Sequence, residues 1–191
     1  MATVINAQTS AGGLSITPDL SGQIALQSNG TTIATVTPTG ITTQVGAPAF
    51  SVTNNGTAQS VSNATWTKVS LNTKDFDTNS NFDATTNYRF QPTVAGYYHL
   101  DAAVRFDSGI GTGERMIVIY KNGAEYKRGF NAKGSAAVGD SWFQMEINVQ
   151  VYANGTGDYF EIYMMHGAGA NRSLTAARAF TRFQGCMIRG A

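Results

Sequence analysis

Few residues in this chain could do chemistry. There are two histidines, His99 and His166, and a single cysteine, Cys186. Neither histidine has a cysteine or a second histidine at zinc-ligand spacing. His99 also reads as a polar residue on a strand face, and His166, which ends a strand before Gly167-Ala168-Gly169, as a loop residue. Cys186 would serve as a nucleophile only beside a base and a cleft; its plainer reading is a small buried apolar residue of the last strand. Asp75, Asp77, Asn79, Asn81 and Asp83 place an oxygen at every second position, the spacing of an oxygen-rich calcium loop. An EF-hand would require glycine where Ser80 stands and glutamate where Thr86 stands, so the run also reads as a solvated loop of turn formers. Gly109-Ile110-Gly111-Thr112-Gly113 lacks the dinucleotide fingerprint and a following helix, and Gly167 to Ser173 lacks the lysine of a P-loop. Glycoside cleavage would need two suitably separated carboxylates, and no motif singles out a pair among the 12 acidic residues. No catalytic, cofactor or metal residue is therefore assigned. Calcium is left without a ligand set, and the chain is expected not to be an enzyme.

Arg172 and Arg178 flank the polar loop Ser173 to Ala177. Loops between rigid strands often carry binding. Two guanidinium groups there could contact a sugar or an acidic partner, or could make hydrogen bonds between subunits.

The elements that must position these residues are strands. Gln144 to Val151 alternates without a break: Met145, Ile147, Val149 and Val151 on one face, Gln144, Glu146, Asn148 and Gln150 on the other. Tyr97 to Phe106 directs Tyr98, Leu100, Ala102, Val104 and Phe106 inward and Tyr97, His99, Asp101 and Arg105 outward. Asp158 to His166 has Phe160, Ile162 and Met164 on one face and Tyr159, Tyr163 and Met165 on the other, interrupted by Glu161. A strand apolar on both faces must bury both, and the second face could serve a neighbouring subunit. Met116 to Tyr120 reads similarly. Phe50 to Val52 and Trp66 to Leu71 are shorter strands, and Phe180 to Ile188 closes the chain. Asn-Gly pairs at Asn29, Asn55, Asn122 and Asn154 supply the residues that tight hairpin turns demand. Short strands with such turns between them predict an all-β sandwich or barrel.

Composition agrees. Of the 191 residues 42% are apolar and only 13% charged, with 21 glycines against 4 prolines. That suits a folded domain that hides surface by self-assembly. The net charge of +1 provides no field to gather nucleic acid, and no apolar run is long enough to insert in a membrane. Residues 1–46 differ: Asp19 is their one charge, and the short runs Leu14-Ser15-Ile16-Thr17, Gln23 to Gln27 and Ile33 to Val36 have few large side chains. The last two are joined by Ser28-Asn29-Gly30-Thr31-Thr32. A lone hairpin is marginal in water, so this segment needs other copies or a docking partner. The boundary is placed near Gln44 to Pro48, giving units of 1–46 and 47–191.

From Pro48 onward the sequence resembles the C1q/TNF-like family. Ala49-Phe50-Ser51-Val52 is similar to the family's opening strand, and Trp66-Thr67-Lys68-Val69 to the next landmark. Phe82-Asp83-Ala84-Thr85-Thr86-Asn87-Tyr88-Arg89-Phe90, followed by Pro92-Thr93-Val94-Ala95-Gly96-Tyr97-Tyr98, matches an aromatic-Asp turn, a Phe-ended strand and a Pro–Gly-Tyr-Tyr step. Lys121-Asn122-Gly123 matches the mid-domain hairpin, and Phe183-Gln184-Gly185-Cys186-Met187-Ile188 the closing strand. Cys186 stands where the family has an aromatic residue and Asn87 where it has glycine. The resemblance implies a ten-strand jelly-roll sandwich that assembles as a homotrimer, with Tyr97, His99, Tyr159, Tyr163 and Met165 as candidate trimer-interface residues.

Residues 1–46 resemble the Thr/Asn/Gly-rich N-terminal segments of bacteriophage appendage proteins, in Leu26 to Val36 and Thr39-Gly40-Ile41. That resemblance implies a small β-rich anchor, other virion proteins as its partners, and a head turned outward. The expectation is a trimeric virion structural protein, a fibre or decoration subunit. It would be made in the host cytoplasm without a secretory leader, because the N-terminus has neither a basic stretch nor an apolar core of one. The alternative is an adhesin of a phage tail that binds a host receptor or surface glycan.

Overall fold

The structure is a computed structural model that describes residues 24–37, 42–44, 46–107, 113–133 and 144–191. The chain divides into two compact units, Met1–Gly46 and Ala47–Ala191. In the first, β1 (Ile24–Ser28), β2 (Thr31–Val36) and β3 (Thr42–Gln44) form one antiparallel sheet in sequence order. Asn29 and Gly30 turn β1 into β2 with φ of 48° and 77°, the left-handed pair of a type I′ turn. The run Leu14 to Thr17 lies outside the described residues.

The second unit continues in chain order with β4 (Ala49–Thr53), β5 (Gln59–Val61), β6 (Thr67–Lys68), β7 (Thr73–Asp77), β8 (Phe82–Asp83), β9 (Arg89–Phe90) and β10 (Gly96–Arg105). There follow β11 (Glu114–Lys121), β12 (Ala124–Lys133), β13 (Gln144–Ala153), β14 (Phe160–His166), β15 (Arg172–Leu174) and β16 (Arg182–Gly190). They form a five-stranded sheet, β13-β10-β16-β4-β7, and a six-stranded sheet, β12-β11-β14-β9-β8, in which β6 also pairs with β14. β15 and β5 make a separate two-stranded ribbon. First and last strands lie side by side at the centre of the five-stranded sheet, Phe50 opposite Gly185 and Val52 opposite Phe183. This is the all-β jelly-roll sandwich that the sequence predicts, with several of its strands broken into pieces of two or three residues.

The inner faces of the two sheets meet in one apolar core. Its centre is aromatic. Phe50 lies 4.1 Å from Phe90 and 4.9 Å from Phe183 between ring centroids, and Phe90 lies 5.6 Å from Tyr98. Each of these rings comes from a different motif of the family resemblance, so those motifs encode one cluster. Tyr98 is fully buried, and its hydroxyl donates to the carbonyl of Val94 at 2.6 Å, as a buried phenol must. Gly185 is required by this packing: a Cβ there would lie 2.6 Å from the His99 carbonyl oxygen and 2.6 Å from Leu100 Cδ2.

Of the four Asn-Gly pairs, Asn29-Gly30 and Asn122-Gly123 have both residues at positive φ. Asn154 does other work. Its Oδ1 accepts from the amides of Thr156, Gly157 and Asp158, at 3.0 to 3.1 Å, and so organises the β13–β14 turn as an Asx turn.

Candidate functional site

The outward face of the five-stranded sheet is built by alternation. On β10, Tyr98, Leu100, Ala102 and Val104 are buried, which turns Tyr97, His99 and Asp101 out. Ladder register sets Tyr152 opposite Tyr97 and Cys186 opposite His99. On β16 a bulge at Ile188 pairs Tyr97 with Arg189 and Tyr98 with Met187. Large apolar side chains are left in solvent there: Tyr97 is 50% exposed, Tyr152 42% and Ile188 53%. Phe76 of β7, 51% exposed, sits across a shallow concavity of about 560 Å³ whose other walls include His99, Asp101, Arg182, Gln184 and Cys186.

Polar groups run beside these apolar ones. Gln184 Nε2 donates to Asp101 Oδ1 at 3.2 Å, and Arg182 bridges Asp101 and Glu146 at 3.6 Å each. Partly exposed ion pairs at such distances contribute little stability. An apolar patch with a polar border is, however, the composition of a protein–protein contact.

The five candidate interface residues are divided between two sheets. Tyr97 and His99 share the face just described. Tyr159, Tyr163 and Met165 belong to β14 and the turn before it, in the six-stranded sheet. There the chain covers part of its own second face, and Tyr159, Tyr163 and Met165 stay half-buried. The Tyr163 ring stacks on Tyr120 with centroids 4.0 Å apart, Lys68 reaches Glu161 at 3.0 Å, and the Arg89 guanidinium lies 4.3 Å above the Tyr159 ring. Met165 faces Met116 across the ladder. Burial pushes the Tyr163 hydroxyl pKa up, and the nearby Glu161 carboxylate adds to it.

Arg172 and Arg178 have different surroundings. Arg172 lies in the β15–β5 ribbon, where its Nη1 donates to the Asn171 carbonyl at 3.2 Å. Arg178 is exposed and pairs with Asp75 of β7. The alternating acid–amide run does not converge on an ion. Asp75 accepts from Ser51 Oγ, and Asp77 accepts from the amides of Asn81 and Phe82 and from Lys74. Asp83 takes the amides of Thr85, Thr86 and Asn87, and those bonds hold its carboxyl well below the usual carboxylate range. Among the described residues no three His, Cys, Asp or Glu side chains gather as a metal site.

Two readings of single residues change. Cys186 is exposed, not buried, because it shares strand parity with Gln184 while Phe183, Gly185 and Met187 face the core. His166 ends β14, as the strand pattern predicts, but it is fully buried and not part of a loop. Its Nδ1 accepts from the Ala168 amide at 3.3 Å, which places the ring proton on Nε2, 3.1 Å from the Val61 carbonyl. The Phe106 ring meets it edge-on at 5.0 Å. Burial pushes its pKa down, so it is held neutral. The segment 108–112, with most of Gly109 to Gly113, lies outside the described residues. Sequence reading missed Phe76, Tyr152 and Ile188. For Tyr152 the signal was present, since Val149 and Val151 face inward and parity turns Tyr152 out.

Among the described residues no helix is long and apolar enough to cross a membrane. No protein-family model matches the sequence, and none of the curated proteins does. Solved structures do match in shape. Murine APRIL superposes with a TM-score of 0.54 at 12% identity, covering 74% of this chain and 99% of its own. Eiger TNF from S. frugiperda gives 0.55 at 11%, covering 76% and 94%. The PRD1 vertex protein P5 gives 0.54 at 11%, covering 97% of this chain and 98% of its own. At such identities the likeness speaks for architecture, and the architecture is the TNF/C1q-like jelly roll.

Proposed function

We propose that this chain is a non-enzymatic, homotrimeric virion structural protein, a fibre or decoration subunit. Residues 1–46 dock on other virion proteins, and residues 47–191 form the presented head. The observation that carries this reading is the outward face of the five-stranded sheet. Phe76, Tyr97, Tyr152 and Ile188 leave four large apolar side chains about half-exposed on one face, and further copies of the chain would cover them. The likeness to the PRD1 vertex protein over 97% of this chain supports the particle context. Three copies on one head would give weak sites the benefit of high effective concentration.

Light scattering on the full chain and on residues 47–191 tests the reading. Three chain masses for both are expected. A folded monomer for residues 47–191 would assign assembly to the N-terminal unit or to the particle.

A second reading, a receptor- or glycan-binding adhesin of a phage tail, is supported by a polar cleft between the β8–β9 hairpin and the turn at Gly155. Host-surface binding by the purified chain tests it. Neither reading calls on nucleic acid or membrane insertion.

A further inference from the structure

The β8–β9 hairpin, the segment after β9 and the β13–β14 turn enclose a cleft of about 320 Å³. Hydroxyls and amides line it, from Ser80, Asn81, Asn87, Gln91, Thr93 and Thr156, together with one cation, Arg89, and one carboxylate, Asp83. Arg89 stands opposite Asp83 in the ladder, yet the two charges do not meet. Asp83 is turned into its own turn, where its oxygens take the amides of Thr85, Thr86 and Asn87, the Thr85 hydroxyl and Asn87 Nδ2, all within 3.1 Å. Among the described residues Arg89 has no ion-pair partner. Its position is nevertheless fixed: the guanidinium lies 4.3 Å above the Tyr159 ring, and Nη2 donates to Gln91 Oε1 at 2.9 Å.

The walls are fixed as well. Ser80, in the wall, and Tyr88, next to the lining residues Asn87 and Arg89 in sequence, hold φ of 54° and 49° without being glycine, a conformation uncommon for any other residue and one that collects at binding sites. Gly155, at φ 72°, closes the far side so tightly that a Cβ would lie 2.4 Å from the Ala95 nitrogen.

We propose that this cleft binds an acidic sugar residue, its carboxylate on Arg89 and its hydroxyls on the surrounding amides and hydroxyls. A planar guanidinium matches a carboxylate with paired N–H donors. Neutral side chains that both donate and accept suit vicinal hydroxyls. The volume is at the small end for ligand pockets and suits about one ring. A single cation is too little for a polyphosphate backbone. The proposal deepens the attachment reading and rests on it only for the choice of ligand.

The test titrates the full chain with glucuronate, N-acetylneuraminate and glucose, followed by saturation-transfer NMR. At least one of the two acids is expected to bind, on the order of 1 mM, and glucose at least about tenfold more weakly. Arg89→Ala should lower acid binding about tenfold or more, Arg89→Lys by less, and Lys127→Ala, an exposed cation on β12, not at all. Should Arg89→Ala not fold, Thr156→Val on the opposite wall carries the test, with a several-fold loss expected. Absence of acid binding at about 20 mM, equal binding of glucose, or affinities unmoved by both Arg89→Lys and Thr156→Val would overturn the proposal. Sugar binding that persists in a protein unable to attach to host cells would count against the adhesin reading and leave this site standing.

Discussion

Tyr97 and Tyr152 lie directly opposite each other on β10 and β13, with ring centroids 5.5 Å apart, and both rings face water. A cross-strand aromatic pair contributes to the sheet it bridges, but two half-exposed rings beside exposed Ile188 are better accounted for by a surface that another copy covers. Tyr97→Glu puts a charge at the centre of that surface. Association should weaken at least about tenfold, read as a shift from three chain masses toward one in light scattering at falling concentration, with the β-sheet circular dichroism unchanged. An unchanged mass would remove this face from the interface.

Cys186 reports on the same surface without altering it. Its thiol is exposed in the single chain, opposite His99 in the ladder. In the assembled protein a thiol reagent should label it slowly. Dilution or Tyr97→Glu should bring labelling to the rate of an open thiol. Fast labelling of the intact assembly would place the contact elsewhere.

His166 makes stability depend on pH. Burial holds its folded pKa below the ordinary 6.5, so the unfolded chain binds a proton that the folded chain refuses. Its contribution is fully present above about 6.5 and declines as pH falls through and below that value toward the folded pKa. Protonation would also set an N–H at Nδ1 against the Ala168 amide. The melting temperature should fall between pH 7.5 and pH 5, and His166→Gln should flatten that slope.

Asp83 acts in the acid range. Its folded pKa is depressed by the amides of Thr86 and Thr85, so the stability it supplies is present above about 3.8 and lost as pH falls below it. Asp83→Ala leaves the Thr85, Thr86 and Asn87 amides without their acceptor. Water takes over those donors in so exposed a turn, so the cost should be about 0.5–1.5 kcal/mol at neutral pH, seen as a lower denaturant midpoint with unchanged slope.

Gly185→Ala tests the spacing of the central strands. The added carbon meets the His99 carbonyl and Leu100 at 2.6 Å. Because backbone cannot yield as a side-chain tip does, a loss of about 1–3 kcal/mol is expected. The same substitution at the solvent-facing Gly157, where nothing lies within 4 Å, should cost far less.

What could be read from the sequence followed periodicity. β13 and β10 carry strict alternation over a half-buried sheet, and both occur where the pattern sets them. β12 was missed because it is an edge strand whose Glu125, Lys127 and Arg128 give no alternation; charge on an edge is what blocks unwanted pairing. β7 was hidden inside the acid–amide run, since Thr73 to Asp77 reads as a turn until Phe76 is seen against β4. His166 was legible as the end of a strand but not as buried, because only the tertiary fold brings Val61 and Phe106 around the ring. The Arg89 cleft had no linear signature, since its walls come from two stretches, 80–93 and 155–156, far apart in sequence.

The pairing of β4 with β16 has a consequence for synthesis. Phe50 and Phe183 meet edge-to-face in one cluster although nearly the whole second unit separates them in sequence. A nascent chain emerging from the ribosome cannot close that cluster until the last strand of this unit has been made, so the unit's loop-closure cost is borne late. Until then Phe50, Phe90 and Tyr98 have no partner from β16, and the incomplete chain is a client for chaperones.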